Sequence, residues 1–172
     1  MTTAMKPAAT MKPATKVVTS TRRPLVVGYG TAMRGDDAVG WYVADLLALE
    51  QRFAGVDVLS VHQLTPELAA DFASASRIVL IDAAADGDEP GAVHVSDVVP
   101  DYAAVGVFSH HVDAAALVAL TSALYGEAPP TTMVTVSLDS VPHEERLSAP
   151  VAAAIPDVVA VVSRLVLEDD NA

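Results

Sequence analysis

Not one cysteine occurs in the 172 residues, so disulfides and thiolate metal sites are excluded and a reducing compartment fits. Any metal must then be held by Asp, Glu or His. Aromatic residues make up only 5% of the chain, while hydrophobic residues reach 52%. Much of that content is Ala and Val, which suits helices packed closely on a sheet and argues against a disordered chain. Lysine ends at Lys16. Five of the ten basic residues (Lys6, Lys12, Lys16, Arg22, Arg23) precede Pro24, and beyond it only Arg34, Arg52, Arg77, Arg146 and Arg164 stand against all 22 acids. A surface so acidic repels phosphate backbones and anionic lipid, which excludes nucleic acid and the membrane surface as partners. A basic peptide segment or a metal cation is the natural partner. No run is expected to be long and apolar enough to span a bilayer.

The length suits one domain with a substantial core. At the N-terminus Met5-Lys6-Pro7-Ala8 recurs as Met11-Lys12-Pro13-Ala14, in a stretch without acids. Arg22-Arg23 has the look of a twin-arginine export signal. However, the apolar run behind it is short and soon meets Arg34, Asp36 and Asp37, so it lacks the apolar core of such a signal. Residues 1–22 are expected to form a disordered tail and 23–172 a single α/β domain, in a cytoplasmic protein.

Within that domain strand and helix patterns alternate. Leu25–Tyr29, Val56–Val61, Arg77–Asp82 and Thr131–Leu138 read as strands, and Ala92–Val95 as a brief one, a candidate antiparallel edge. Helical spacing covers Val39–Phe53 and His111–Tyr125, the latter stopping at Gly126. Thr65-Pro66-Glu67 opens a short helix with Thr as N-cap and Pro at the first helical position. A last helix runs from Ser148-Ala149-Pro150 to about Leu167, whereas Asp97–Phe108 reads as loop. This order predicts a three-layer α/β/α sandwich around a mostly parallel, twisted sheet of about five strands.

Three loops carry candidate chemistry. Gly28-Tyr29-Gly30-Thr31 turns out of the first strand into Asp36-Asp37-Ala38-Val39-Gly40. It lacks the third glycine of a dinucleotide fingerprint and the Gly-Lys-Ser/Thr of a phosphate loop. Asp36 or Asp37 is a candidate helix N-cap. Asp82 ends the third strand, at the carboxyl edge where open α/β sheets build their sites. Ser109-His110-His111 precedes a helix, and adjacent histidines point different ways. His62, His94 and His143 have weaker claims. Two carboxylates and an imidazole from separate loops suit Zn, Ni or a related divalent ion. A receiver domain also pairs acids after its first and third strands, but its acids follow the strand directly and it needs a later lysine.

Taken together, Gly28-x-Gly30…Asp36-Asp37-x-x-Gly40, Ile81-Asp82-Ala83 with Pro90-Gly91, Ser109-His110-His111, and Leu147-Ser148…Val151 resemble the hydrogenase maturation proteases over about residues 24–168. The resemblance implies an endopeptidase that removes the C-terminal extension of a nickel-loaded hydrogenase large-subunit precursor. It carries the metal-binding positions to Asp37, Asp82 and His111, with Asp37 and Asp82 as the catalytic acids. Gly30, Thr31 and Thr65, the last within Val61–Leu68, would meet the substrate. Thr31 departs from the asparagine usual after the second glycine. Nickel would come with the precursor, so no tightly bound cofactor is expected in a free, monomeric enzyme, although Zn or Cd suits the same donors. A non-cleaving, nickel-dependent chaperone of the same fold and a receiver-like signalling domain are the other readings.

Overall fold

The computed structural model describes residues 22–31, 33–85, 87–104, 112–138 and 146–168. Five strands form one sheet in the order β2-β1-β3-β5-β4: β1 is Leu25–Tyr29, β2 Asp57–Val61, β3 Ile78–Ala84, β4 Val93–Asp97 and β5 Thr131–Ser137. The first four in that spatial order run parallel. Only β4 is antiparallel, on β5. The near-continuous apolar runs of β1 and β3 reflect burial on both faces, as a parallel sheet under two helix layers requires.

Side-chain alternation divides the core. Val26, Val79, Ile81, Val134 and Val136 face one layer, against α1 (Val39–Leu49) and α4 (Ala149–Ser163). Leu25, Val27, Ile78 and Leu80 face the other, against α2 (Ala69–Ser74) and α3 (Ala114–Tyr125). The result is the expected α/β/α sandwich with a mostly parallel five-stranded sheet. The core is almost wholly aliphatic: Phe53 and Phe72 are its only buried aromatic side chains among the described residues.

The first turn owes its shape to two glycines packed back to back. A Cβ on Gly28 would lie 1.9 Å from the Gly40 carbonyl oxygen, and one on Gly40 would lie 2.2 Å from Ile81 O and 2.5 Å from Tyr29 O. Helix α1 therefore starts in direct backbone contact with β1 and β3, at the end of the sheet where the acids gather.

Several boundaries differ from expectation. Helix α1 ends at Leu49, and Gln51–Phe53 is a separate 3-10 turn. Helix α3 starts at Ala114 rather than His111, because the Asp113 side chain accepts from Ala116 N–H at 2.7 Å and so caps it. The Thr65 side chain caps nothing; it hydrogen-bonds Glu67 instead. The segment Ala149–Glu168, whose last turn is a wider π-type turn, is long and apolar enough to cross a membrane by length and composition, contrary to the expectation that no run is. Its row Val151, Ala154, Val158, Val162 and Val166 packs against the sheet, while Asp157 and Arg164 stay exposed. That stripe is the packing face of an amphipathic covering helix.

Candidate active site

Strand parity sets the site. Val27 and Tyr29 of β1 share a face, as do Leu80 and Asp82 of β3, since residues two apart point the same way. Where the α2/α3 layer stops covering that face, Tyr29 and Asp82 line an open cleft of about 680 Å³. Asp37 and Thr31 enter it from the first turn, His62 and Gln63 from the end of β2, and Asp113 from the start of α3. Met133, Val98 and Val99 make its apolar side, with Ser96 beside them.

The first turn delivers Asp37 by a short hydrogen-bonded path. Arg34 N–H donates to Thr31 O at 2.9 Å and Asp37 N–H to Arg34 O at 3.2 Å. Thr31 N–H then closes back on Asp37 Oδ2 at 3.0 Å. Gly30 N–H ties the turn to β2 through Val61 O at 3.2 Å. Gly30 has φ +138°, and a Cβ there would lie 1.8 Å from Asp37 O, so only glycine lets the backbone pass this close to the acid. The backbone amide of Thr31, and not its hydroxyl, holds Asp37. Replacing the usual asparagine therefore leaves that bond intact.

Asp36 and Asp37, adjacent in sequence, serve different structures. Asp36 is buried, and its Oδ1 accepts from Ser148 N–H at 2.6 Å, the residue that precedes α4. Neither aspartate caps the helix that follows it. Asp36 is instead a strut to another part of the fold, so the capping reading of these residues gives way to a structural one for Asp36.

Asp82 is held at about 6, up from the ordinary 3.8. Desolvation by burial is the main cause. The Ala83 N–H, donating to Oδ1 at 2.8 Å, and the Tyr29 hydroxyl both favour the carboxylate, and the nearby charge of Asp37 opposes it. Burial, followed by the charge of Asp82, in turn pushes the Tyr29 phenol well above its usual range, so it stays a proton donor. The Tyr29 hydroxyl also lies 3.9 Å from Met133 Sδ.

The structure thus brings Gly30, Thr31, Asp37 and Asp82 to one cleft. Thr65 sits one residue beyond Leu64, the last lining residue of that loop. His111 lies outside the described residues, and among the described residues no three His, Asp or Glu side chains converge as a metal cage. The two carboxylates do fit a divalent cation: a desolvated acid beside a second acid ionises more readily when a positive charge joins them, and oxygen donors with open positions suit Ni or Zn. Tyr29 and Asp113 are the site residues that sequence reasoning passed over, and His62, given only a weaker claim there, joins them in the cleft; the period-two parity from Val27 was the available signal for Tyr29. A second cavity, of about 650 Å³, lies at the opposite end of the sheet around Arg23, Glu50, Phe53 and Asp57.

A family model described as hydrogenase maturation protease matches residues 42–165. That span contains Asp82 and begins just after the turn carrying Asp37. No curated protein sequence matches the chain. Among solved structures, the hydrogenase maturating endopeptidase HybD from E. coli is 23% identical, with a TM-score of 0.68 over 86% of this chain and 94% of that one. The [NiFe] hydrogenase maturation protease HybD from Thermococcus kodakarensis is 24% identical, TM-score 0.66, over 84% and 99%. HycI from the same archaeon is 19% identical, TM-score 0.67, over 84% and 92%. At such identities these likenesses establish the fold alone.

Proposed function

The chain belongs to the hydrogenase maturation protease family, and from that premise we propose that it is the endopeptidase that trims the C-terminal extension from a nickel-loaded hydrogenase large-subunit precursor, using Asp37 and Asp82 as its acids. The observation that carries the assignment is the pairing of these two carboxylates in one open cleft, with Asp82 held at about 6. A carboxyl group poised near neutrality exchanges a proton readily under working conditions.

Nickel is part of the substrate in this reading, the feature by which loaded precursor is told from unloaded. Asp37, Asp82 and His111 supply the oxygen and nitrogen donors that meet it. The free protein holds no tight metal of its own, and Zn or Cd occupies the same donors when supplied. In hydrolysis, Asp82 takes a proton at Oδ2 from the water that attacks the peptide carbonyl, since the Ala83 N–H occupies Oδ1, and returns it to the nitrogen that leaves as the peptide C–N bond breaks. The Tyr29 hydroxyl keeps that carboxylate oriented. Asp37, fixed by Thr31 N–H, supplies the second negative charge at the same spot. Gly30 and Thr31 contact the peptide backbone beside them, with Thr65 behind. The enzyme works as a cytoplasmic monomer.

Mixing the protein with nickel-loaded precursor tests this by the size shift of the large subunit. Cleavage is expected with the wild type and is lost with Asp37→Ala, Asp82→Ala or His111→Ala. Normal processing by Asp82→Ala removes the site assignment. A stable complex without cleavage favours the chaperone reading. Calorimetry with nickel checks the free protein, where sub-micromolar binding contradicts the view that metal arrives with the precursor.

A further inference from the structure

The β4 strand closes the sheet on one side, and its outer edge is open among the described residues. Its pairing with β5 fixes which backbone groups look outward. Val98 N–H donates to Thr131 O, and Ser137 N–H donates to Ala92 O, both at 2.9 Å. Residues alternate between bonded and non-bonded positions in an antiparallel pair. Ala92, His94, Ser96 and Val98 therefore bond β5, and the N–H and C=O groups of Val93, Val95 and Asp97 point off the sheet. Edge strands are commonly blunted by lysine, proline or a bulge; β4 itself carries no lysine or proline, and a bulge, where Gly91 (φ +85°) and Ala92 both bond Ser137, lies just before the strand and leaves Val93–Asp97 regular. Instead Val95 is 51% exposed, with Val99 and Tyr102 exposed beyond it.

This edge is continuous with the cleft, since Ser96, Val98 and Val99 line both. His94 stands level with Asp82 through Thr135, which pairs with each. We propose that the β4 edge is an exosite that binds an extended, basic segment of the precursor by strand addition, using the outward groups of Val93, Val95 and Asp97. The proposal rests on the endopeptidase reading, because it takes the polypeptide being cut as the occupant. An added strand lies three strand spacings from β3, about 14 Å from Asp82. About four extended residues cover that gap, so the docked segment is at least that far along the chain from the scissile bond. Charge selects the occupant. The protein carries a net −12, and Asp97 and Asp101 are exposed along this edge. A second copy would bring like charge to like charge, whereas a segment bearing Lys or Arg is attracted.

Proline at 95 removes an outward N–H and no bond to β5, and edge strands tolerate it there. Val95→Pro is therefore compared with Val95→Ala in steady-state cleavage of nickel-loaded precursor. The expected result is a KM raised about tenfold by V95P with kcat within about twofold, and V95A within about twofold in both. A V95P enzyme with wild-type KM overturns the exosite while leaving the endopeptidase reading intact. A wild-type protein that never cleaves the precursor overturns that reading itself. If V95P fails to fold, amide hydrogen exchange of the Asp82→Ala protein with uncut precursor decides: slowed exchange at Val93, Val95 and Asp97 supports the proposal, and unchanged exchange overturns it. Sedimentation showing a wild-type dimer that V95P converts to monomer assigns the edge to a second copy and also overturns it.

Discussion

Replacing Asp82 by asparagine is expected to make the protein more stable and inactive. The carboxyl group keeps its proton up to about pH 6 when folded, against 3.8 ordinarily. Between those values the folded chain binds more protons than the unfolded one, so stability falls as pH rises through that window and stays lower above it. The gap amounts to about 3 kcal/mol of disfavoured ionisation at neutral pH. Asparagine carries no charge to desolvate, and its side-chain oxygen still accepts the Ala83 N–H. The Asp82→Asn protein should therefore gain about 2–3 kcal/mol at pH 7.5, seen in urea unfolding as a higher midpoint with an unchanged slope. At pH 3 the gain should nearly vanish, since that lies below both 3.8 and about 6, and both native and unfolded wild-type chains are then largely protonated. A variant no more stable than wild type at pH 7.5, or one whose advantage is the same at both pH values, refutes this account of Asp82.

Three other outcomes follow from the same geometry. Gly40→Ala places a methyl group against the backbone oxygens of Ile81 and Tyr29 and should cost about 3 kcal/mol or more, read as a lowered thermal midpoint. Tyr29→Phe removes a donor that favours the Asp82 carboxylate, so the acid limb of the pH–rate profile should move to higher pH; a limb that moves down contradicts the assignment of Asp82 as base. Asp36→Ala leaves the half-buried Ser148 N–H without its carboxyl acceptor and should cost about 1–2 kcal/mol, measured by denaturant unfolding, with no change in precursor KM.

The layered fold was legible because its determinants are local: apolar runs at Leu25–Tyr29 and Ile78–Ile81 for buried strands, helical spacing from Val39 and toward Val162. Asp82 was legible because a polar residue straight after the apolar run of a buried strand has few reasons to be there, although β3 does not end at it but runs on to Ala84. Asp36 was not, since nothing local says that its partner is 112 residues away. Asp36 and Asp37 look alike in sequence, and only the path of the turn sends one into the interior and the other into the cleft. The start of α3 slipped by three residues because apolar spacing weighed more than Asp113, a favoured cap. Tyr29 was passed over because one strand residue in isolation reads as core; its parity matters only once Asp82 is known to share the row. His111 keeps its standing from the sequence alone, as it lies outside the described residues.

The parallel run of β1, β2, β3 and β5 has a practical consequence for anyone altering this protein. All the acids of the cleft gather toward the carboxyl ends of these strands, Asp82 near the end of β3 and Asp37 in the turn after β1. The chain enters β1 at the other end, where Arg23 binds the Ala54 and Gly55 carbonyls and lies 2.9 Å from Asp57. That end is a free hand for engineering. Affinity handles, surface-charge changes and helix-end repairs placed there are separated from the cleft by the length of the sheet, so the solubility and handling of the protein can be tuned without touching the residues that line the cleft.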